Sequence, residues 1–298
     1  MSKVKAVNPN TNNVPKRKTG TQRFFSILFQ RKIIIVCCVI LFLFVVGSVF
    51  ANVIAPYDPD DAVMRESSQG ISSAHWLGTD NLGRDTFSRI LYGGRVSLAV
   101  GVLATLVAAA IGILIGMIAA YFGGWVDMVI MRLCEAMMSI PNIVLAMSLI
   151  AVFGSGLINL VIIMGISSVP VFVRMMRAQA LQIRESEYIK CCETQGAGNL
   201  YIMFRHILPN AISPLIVMMT QMVGGMILME SGLSFIGIGV QIPMSSWGTM
   251  ISDSKTYLAS NPVQAISPGI CIALLVVCLN EIGDAVRDGL DPRLRGEL

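Results

Sequence analysis

From Ala136 to Val173 the sequence runs for 38 residues without one charged side chain. As a single α-helix the run would reach ~57 Å at ~1.5 Å per residue, nearly twice the ~30 Å hydrocarbon core of a bilayer. A water-facing surface cannot carry such a run, and one membrane crossing does not need it. The run therefore folds back once, and Gly154-Ser155-Gly156 near its middle supplies the turn. Two crossings follow, over about 130–153 and about 157–177.

The rest of the chain has the same character: 54% of residues are hydrophobic and only 13% charged, against roughly 25% charged in a soluble domain. Ile33 to Ala55 is a second uncharged run, longer than the ~7–15 residues of a secretory h-region, and reads as an uncleaved signal anchor. Before it, Arg23 to Lys32 mixes aromatic and basic residues and suits a short interfacial helix, while residues 1–20 have the composition of a disordered tail. A further crossing covers about Ser97 to Phe122, closed by Gly123-Gly124 and an interfacial Trp125. Within it, Gly112-x-x-x-Gly116 lets another helix approach closely. The last two crossings cover about 210–230, with Pro214 in its first turn where proline is tolerated, and about 263–282. Ser231 to Ser252, uncharged but rich in Gly and Ser and interrupted by Pro243, reads as an extracytoplasmic loop in preference to a seventh crossing, with a dip into the membrane left open. The expectation is an all-α integral membrane protein with six transmembrane helices.

Basic residues orient it. With the N-terminus inside, 17 Lys and Arg side chains lie in cytoplasmic segments and five outside (Arg65, Arg84, Arg89, Arg95 and Lys255), so both termini are expected in the cytoplasm. The formal net charge of +4 is spread between apolar spans, not gathered in a patch, which argues against nucleic acid. All seven cysteines fall outside the extracytoplasmic segments, which argues against a disulfide framework. No phosphate-binding Gly-x-x-x-x-Gly-Lys loop occurs, and none of the seven lysines follows a glycine. The two histidines, His75 and His206, fall on opposite sides of the membrane, so a histidine-based metal site or catalytic triad is not expected. The chain reads as non-catalytic, with no metal and no cofactor of its own.

Two polar segments exceed what a turn requires, Pro56 to Arg95 outside and Arg174 to Pro209 inside. In the second, Glu185 and Glu187 suit the positive end of a short helix, and Gly196 and Gly198 stop it. From physics alone, a docking helix and a solvated connector are equally good readings. Charges near the spans are few: Asp127, Arg132 and Glu135 at the start of the third, Glu230 at the outer end of the fifth, Glu281 and Asp284 at the inner end of the sixth. Structural pairing is the expected role, Arg132 with Glu135 at i, i+3 spacing, with a gate or pathway role for Glu230 as the alternative. Met218, Met219, Met222, Met226 and Met229 place adaptable apolar surface along the fifth span, as pathway lining or as packing.

The residues then become recognisable. Glu187-Tyr188-Ile189-Lys190-Cys191-Cys192-Glu193-Thr194-Gln195-Gly196-Ala197, followed by Arg205-His206-Ile207-Leu208-Pro209-Asn210, resembles the coupling segment of bacterial ABC-importer permeases. Leu77-Gly78-Thr79-Asp80-Asn81-Leu82-Gly83-Arg84-Asp85 looks like the hallmark of the C-type permeases of dipeptide, oligopeptide and nickel importers. Ala55-Pro56-Tyr57-Asp58-Pro59, Leu233-Ser234-Phe235-Ile236-Gly237-Ile238-Gly239 and Gly283 to Arg293 agree in order, so the resemblance spans about residues 24–296. One departure stands out: Lys190 occupies the position of the motif's usual glutamate, and Cys191 and Cys192 replace its two alanines.

The resemblance implies a type I ABC importer permease fold in the bacterial inner membrane. It implies a companion B-type permease, two cytosolic ATPases that bind ATP and Mg, and an extracytoplasmic substrate-binding protein. The chain then divides into a cytoplasmic tail with interfacial helix (1–32), a first span (33–55), an extracytoplasmic loop (56–95), a permease core (96–285) containing the coupling segment 183–209, and a cytoplasmic tail (286–298). The 56–95 region, which bears Asp58, Asp60, Asp61, Asp80 and Asp85, is expected to pack against the companion permease or to receive the binding protein. Peptides, nickel, metal chelates and glutathione-like compounds are the substrate classes of such a family. The competing reading, an ATP-independent secondary transporter or channel, calls for several mid-membrane charges that this sequence lacks.

Overall fold

The computed structural model describes residues 31–241 and 243–290. The expected disordered tail, most of the interfacial helix and the residues after 290 lie outside the described part. Among the described residues five helices are long and apolar enough to cross a membrane, and a pair bent by 90° brings the number to six if it forms one span. In chain order they are α1 (Lys32–Val49), α2 (Thr86–Phe122), the pair α3 (Gly124–Met138) and α4 (Asn142–Phe153), α5 (Leu157–Arg184), α7 (Leu208–Ile236) and α9 (Val263–Leu290). Two short helices sit between them, α6 (Glu187–Thr194) and α8 (Trp247–Ser254).

Several boundaries differ from the sequence expectation for local reasons. α2 begins at Thr86, well before its apolar run, because Asp85 caps it: the Asp85 carboxylate accepts from Ser88 N at 2.8 Å and Ser88 Oγ at 2.7 Å. The non-helical part of the expected 56–95 loop thus ends at Asp85, and its last ten residues belong to α2. The third crossing is not one helix, since α3 and α4 meet at 90°. Pro141 explains the break, because it lacks an N–H and disfavours helical geometry at the residue before it. α7 continues to Ile236, where Gly237 caps it at φ +89°, and α8 is nucleated by a reciprocal Ser246–Thr249 capping box. Half of the expected 231–252 loop is therefore helical. α9 runs on to Leu290, past the expected end of the core at 285. Gly154-Ser155-Gly156 forms the expected turn.

The core lies between α2, α5 and α7. A Cβ on Gly112 would stand 2.5 Å from Phe172 Cβ, and one on Gly116 would stand 2.5 Å from the Val173 carbonyl, so the small-residue spacing is where α2 and α5 meet. On the outer side Trp247 is fully buried, its Nε1–H donates to Ile90 O at 3.0 Å, and its ring meets Phe44 edge-on at 5.6 Å. A Cβ on Gly94 would come within 2.9 Å of that ring, so the glycine makes room for the indole. α8 is in this way clamped onto α1 and α2.

Candidate functional site

Two polar regions lie at opposite ends of the bundle. At one end, α5 stops at Arg184, whose guanidinium lies over the Tyr121 ring at 5.6 Å and donates to Ala120 O at 3.2 Å. Tyr121 in turn donates its hydroxyl to Asn199 Oδ1 at 3.0 Å. Both flanks of α6 are thereby fixed to the inner end of α2. α6 buries Ile189 completely and half-buries Cys192, while Glu187, Tyr188, Lys190, Cys191 and Glu193 are exposed. Among the described residues none of Glu187, Lys190 or Glu193 enters an ion pair. The helix ends in a Schellman arrangement: Ala197 N donates to Cys192 O and Gly196 N donates to Glu193 O, both at 3.0 Å. Gly196 takes φ +80° there, a conformation that favours glycine, and Ala197 packs against the core.

Beyond Ala197 the chain forms a helical turn at Asn199–Tyr201 and a π turn at Ile202–Ile207, then enters α7; together they make one 38-residue span, Asn199–Ile236. His206, in the π turn, contacts the Tyr201 ring at 5.3 Å, and its Nε2 lies 4.0 Å from Cys192 Sγ. α7 is a rod that starts beside α6 and ends on the opposite face of the protein.

Near the outer end of that rod, Glu230 is fully buried. Its carboxylate accepts from Ser97 Oγ at 2.9 Å, Ser234 Oγ at 2.7 Å and Ser231 Oγ at 3.5 Å. Ser97 Oγ also accepts from Trp247 N at 3.3 Å, so Glu230 joins α7 to α2 and to the start of α8. Met226 is buried, and Met222 and Met229 are half-buried against the core. Met229 Sδ is 3.8 Å from Asn142 Nδ2.

The motif Leu77 to Asp85, at the other end of the bundle, is a clamp turned inward. Asp80 accepts from Leu82 N and Arg84 N at 2.9 Å, from Arg84 Nε at 2.6 Å and from Arg89 Nη1 at 2.5 Å. Asp253 at the end of α8 stands 3.6 Å from Arg84 and 3.5 Å from Arg89. Asp85 faces His75 Nδ1 at 2.9 Å, and Glu66 faces the other ring nitrogen at 3.3 Å. Thr79 donates its hydroxyl to Glu66 O, and its own carbonyl accepts from Gln264 Nε2 at 2.5 Å. Gly78 and Gly83 adopt φ +74° and +79°, and a Cβ would meet Gln69 O at 2.4 Å and Val63 O at 1.9 Å respectively. The motif needs glycine at both positions for space as well as for backbone angle.

Within the 56–95 region Asp80 and Asp85 are buried and spent on internal partners, while Asp58, Asp60 and Asp61 are exposed. Arg132 and Glu135 pair at 2.8 Å as expected. Asp127 instead forms a two-pronged pair with Arg177 of α5, and Asp284 accepts from Gln221 at 3.0 Å. Sequence reasoning missed the serines around Glu230 and the Asp253 and Gln264 arms of the clamp. None of these carried a local signal, whereas the neighbouring Ser246-x-x-Thr249 did, as a helix start.

A multi-span helical bundle with a short exposed helix on one face has the architecture of a transporter permease. Residues 112–296 match the family described as "Binding-protein-dependent transport system inner membrane component", and residues 20–70 match the "N-terminal TM domain of oligopeptide transport permease C". The chain belongs to the first of these families and is a permease subunit of an ABC importer, non-catalytic and resident in the inner membrane. The glutathione transport system permease protein GsiD of Pectobacterium atrosepticum is 37% identical over 279 residues, 93% of each chain. The dipeptide transport system permease protein DppC of Alkalihalophilus pseudofirmus is 38% identical over 271 residues, 91% of this chain and 89% of that one. Among solved structures, a chain of the MetNI methionine ABC transporter superposes with a TM-score of 0.57 at 18% identity, covering 68% of this chain and 97% of its own. That likeness is one of fold. Membership of the family brings ATPase subunits, a substrate-binding protein and a second permease as partners.

Proposed function

We propose that this chain forms half of the translocation pathway for short peptides, paired with a companion B-type permease and driven by two cytosolic ATPases that bind ATP and Mg. Its termini lie in the cytoplasm, and an extracytoplasmic binding protein delivers substrate to the opposite face. The peptide class is supported by relatives named for glutathione and for dipeptides, which share the chemistry of a short chain with free amino and carboxylate groups. In this reading Glu187, Tyr188, Lys190, Cys191, Cys192, Glu193, Gly196 and Ala197 form the ATPase-coupling element.

One observation carries it: α6 is anchored by buried Ile189 but turns Tyr188, Lys190 and Cys191 outward with no ion pair among the described residues. ATP-driven closure of the ATPases pushes on α6, and the Asn199–Ile236 rod carries the displacement to Glu230 and α8, a rigid-body transition of a known kind. Two substitutions at Gly196 in the reconstituted complex test this. Gly196→Asn tolerates the left-handed backbone and is expected to keep ATPase stimulation coupled to transport. Gly196→Trp is expected to uncouple them with the complex still assembled. Normal coupled transport by an assembled Gly196→Trp complex removes the coupling role from this segment.

A further inference from the structure

Along its outer half, α2 carries a single stripe of residues, spaced by three and four, that borders two very different spaces. Tyr92, Arg95 and Val96 line an open pocket of about 380 Å³ with both charged and apolar walls, bounded by Asp58 and Asp60 from the segment after α1 and by Met244 and Ser245 before α8. On the next turns of the same face, Ala99, Leu103, Leu106 and Ala110 line a groove of about 440 Å³ whose far wall is the start of α5, Leu157 to Ile162. No polar side chain lines that groove. From Ala99 to Ala110 the helix rises ~16 Å, about half of the ~30 Å hydrocarbon core.

The pocket's charges are arranged for a dipolar guest. Arg95 donates through Nε and Nη2 to Ser48 O and Val49 O, each at 3.0 Å, and to Asn52 Oδ1 at 3.1 Å, with Tyr92 beneath it at 5.4 Å. Its third nitrogen, Nη1, donates to nothing among the described residues. Asp58 and Asp60 are exposed and enter no ion pair among the described residues. Ser245, 6% exposed, has a hydroxyl with no hydrogen-bond partner among them.

We infer that this composite site holds an outer-leaflet phospholipid whose head group carries a primary ammonium, as phosphoethanolamine does. The ammonium sits against Asp58 and Asp60, the phosphate meets the free edge of Arg95, and one acyl chain lies in the groove along α2. A peptide solute offers the same two charges but does not fit a groove without a polar group. Strongly exposed apolar side chains flank the site, Val53 at 82% and Ile158 at 73%, as lipid contact requires. The inference rests on the proposed orientation, which puts this end of α2 outside, and it is independent of which solute is carried.

The test is lipid mass spectrometry on the whole transporter, purified with its companion subunits after exchange into nanodiscs of equal phosphatidylethanolamine and phosphatidylglycerol. The wild type is expected to retain phosphatidylethanolamine preferentially. The double variant Asp58→Asn, Asp60→Asn keeps the turn, since Asp58 Oδ1 accepts from Asp60 N at 2.9 Å and an amide oxygen can replace it. It is expected to lower that preference about fivefold, the scale of one exposed ion pair. Leu103→Trp, which fills the groove, is expected to lower retention of both lipids. An unchanged preference in the double variant overturns the inference. So does cross-linking of Leu103→Cys to the companion permease with no lipid retained. Labelling of Asp61→Cys by an impermeant thiol reagent tests the orientation separately: no labelling from outside refutes the topology whatever the lipid result.

Discussion

At its C-terminal end the Asn199–Ile236 rod finishes among side chains whose hydrogen bonds turn inward, while at its N-terminal end it starts beside a helix whose polar side chains turn outward. Asp80, Arg84, Arg89 and Asp253 leave almost no charge for a partner, and Glu230 is met by three serines of the same chain. Glu187, Lys190 and Glu193 are exposed and leave theirs unused within the described residues. The difference teaches where the chain needs rigidity and where it needs an interface. Buried ion pairs are weak contributors to net stability but severe when broken, so the outer clamp fixes one geometry. Exposed charges contribute little to folding and remain available for a contact.

The comparison can be broken first at Asp80. Asp80→Ala leaves Arg84 and Arg89 buried with only Asp253 to meet them, and a loss of ~3–5 kcal/mol is expected. It should appear as poor recovery of assembled complex and a lowered thermal inactivation midpoint. A midpoint equal to wild type would show that the clamp is not what holds this end together. Glycines sharpen the contrast. Gly83→Ala meets both a forbidden backbone angle and a carbonyl at 1.9 Å, and should cost at least ~2–3 kcal/mol in the same assay. Gly196→Ala meets only the angle, with open space around it, and should cost ~1–2 kcal/mol. Equal effects would mean that the outer turn relaxes as easily as the inner one.

Glu230→Ala removes the acceptor shared by Ser97 and Ser234, with an expected loss of ~1–3 kcal/mol and a lower ratio of binding-protein-stimulated to basal ATP hydrolysis. Glu230→Gln retains an acceptor oxygen and should restore most of both. A stimulation ratio untouched in the alanine variant would separate this hub from signal transmission. The smallest stability effect is expected at Lys190. Lys190→Glu should move the midpoint by less than the equivalent of ~0.5 kcal/mol yet lower coupled transport, on the proposal that Lys190 pairs with an acidic groove on its ATPase. Unchanged coupling would sink that pairing.

How much of this was legible depends on how local its cause is. The spans were readable because a charge-free run meets one solvent requirement residue by residue, and Gly154-Ser155-Gly156 announced its turn in the same way. The Schellman end of α6 was readable from Gly196, a single residue with a single conformational demand. The start of α2 at Thr86 had a local sign in Asp85 and Ser88, but the apolar run drew the boundary inward. The arms of the clamp were not readable: Gln264 reaches a carbonyl 185 positions away, and Asp253 faces two arginines whose burial depends on α8 lying where it does. The inward turn of Asp80 and Asp85 escaped for the same reason, since sequence alone does not say which side of a carboxylate is wet.

The right-angled break between α3 and α4 has a consequence for the shape of the aqueous volume. α4 has 12 residues, a rise of ~18 Å, so with the Gly154 turn at the membrane surface and α4 along the membrane normal the break falls inside a ~30 Å hydrocarbon layer. Helix ends leave carbonyls and amides that hydrocarbon cannot satisfy, and Ser139, Ile140, Pro141 and Asn142 are all exposed in the isolated chain. Lipid cannot cover that stretch of backbone. Wherever the companion subunit stands, either its polar groups or a tongue of water has to reach residues 139–142, which makes this elbow a fixed landmark for tracing the wet route through the assembled pair.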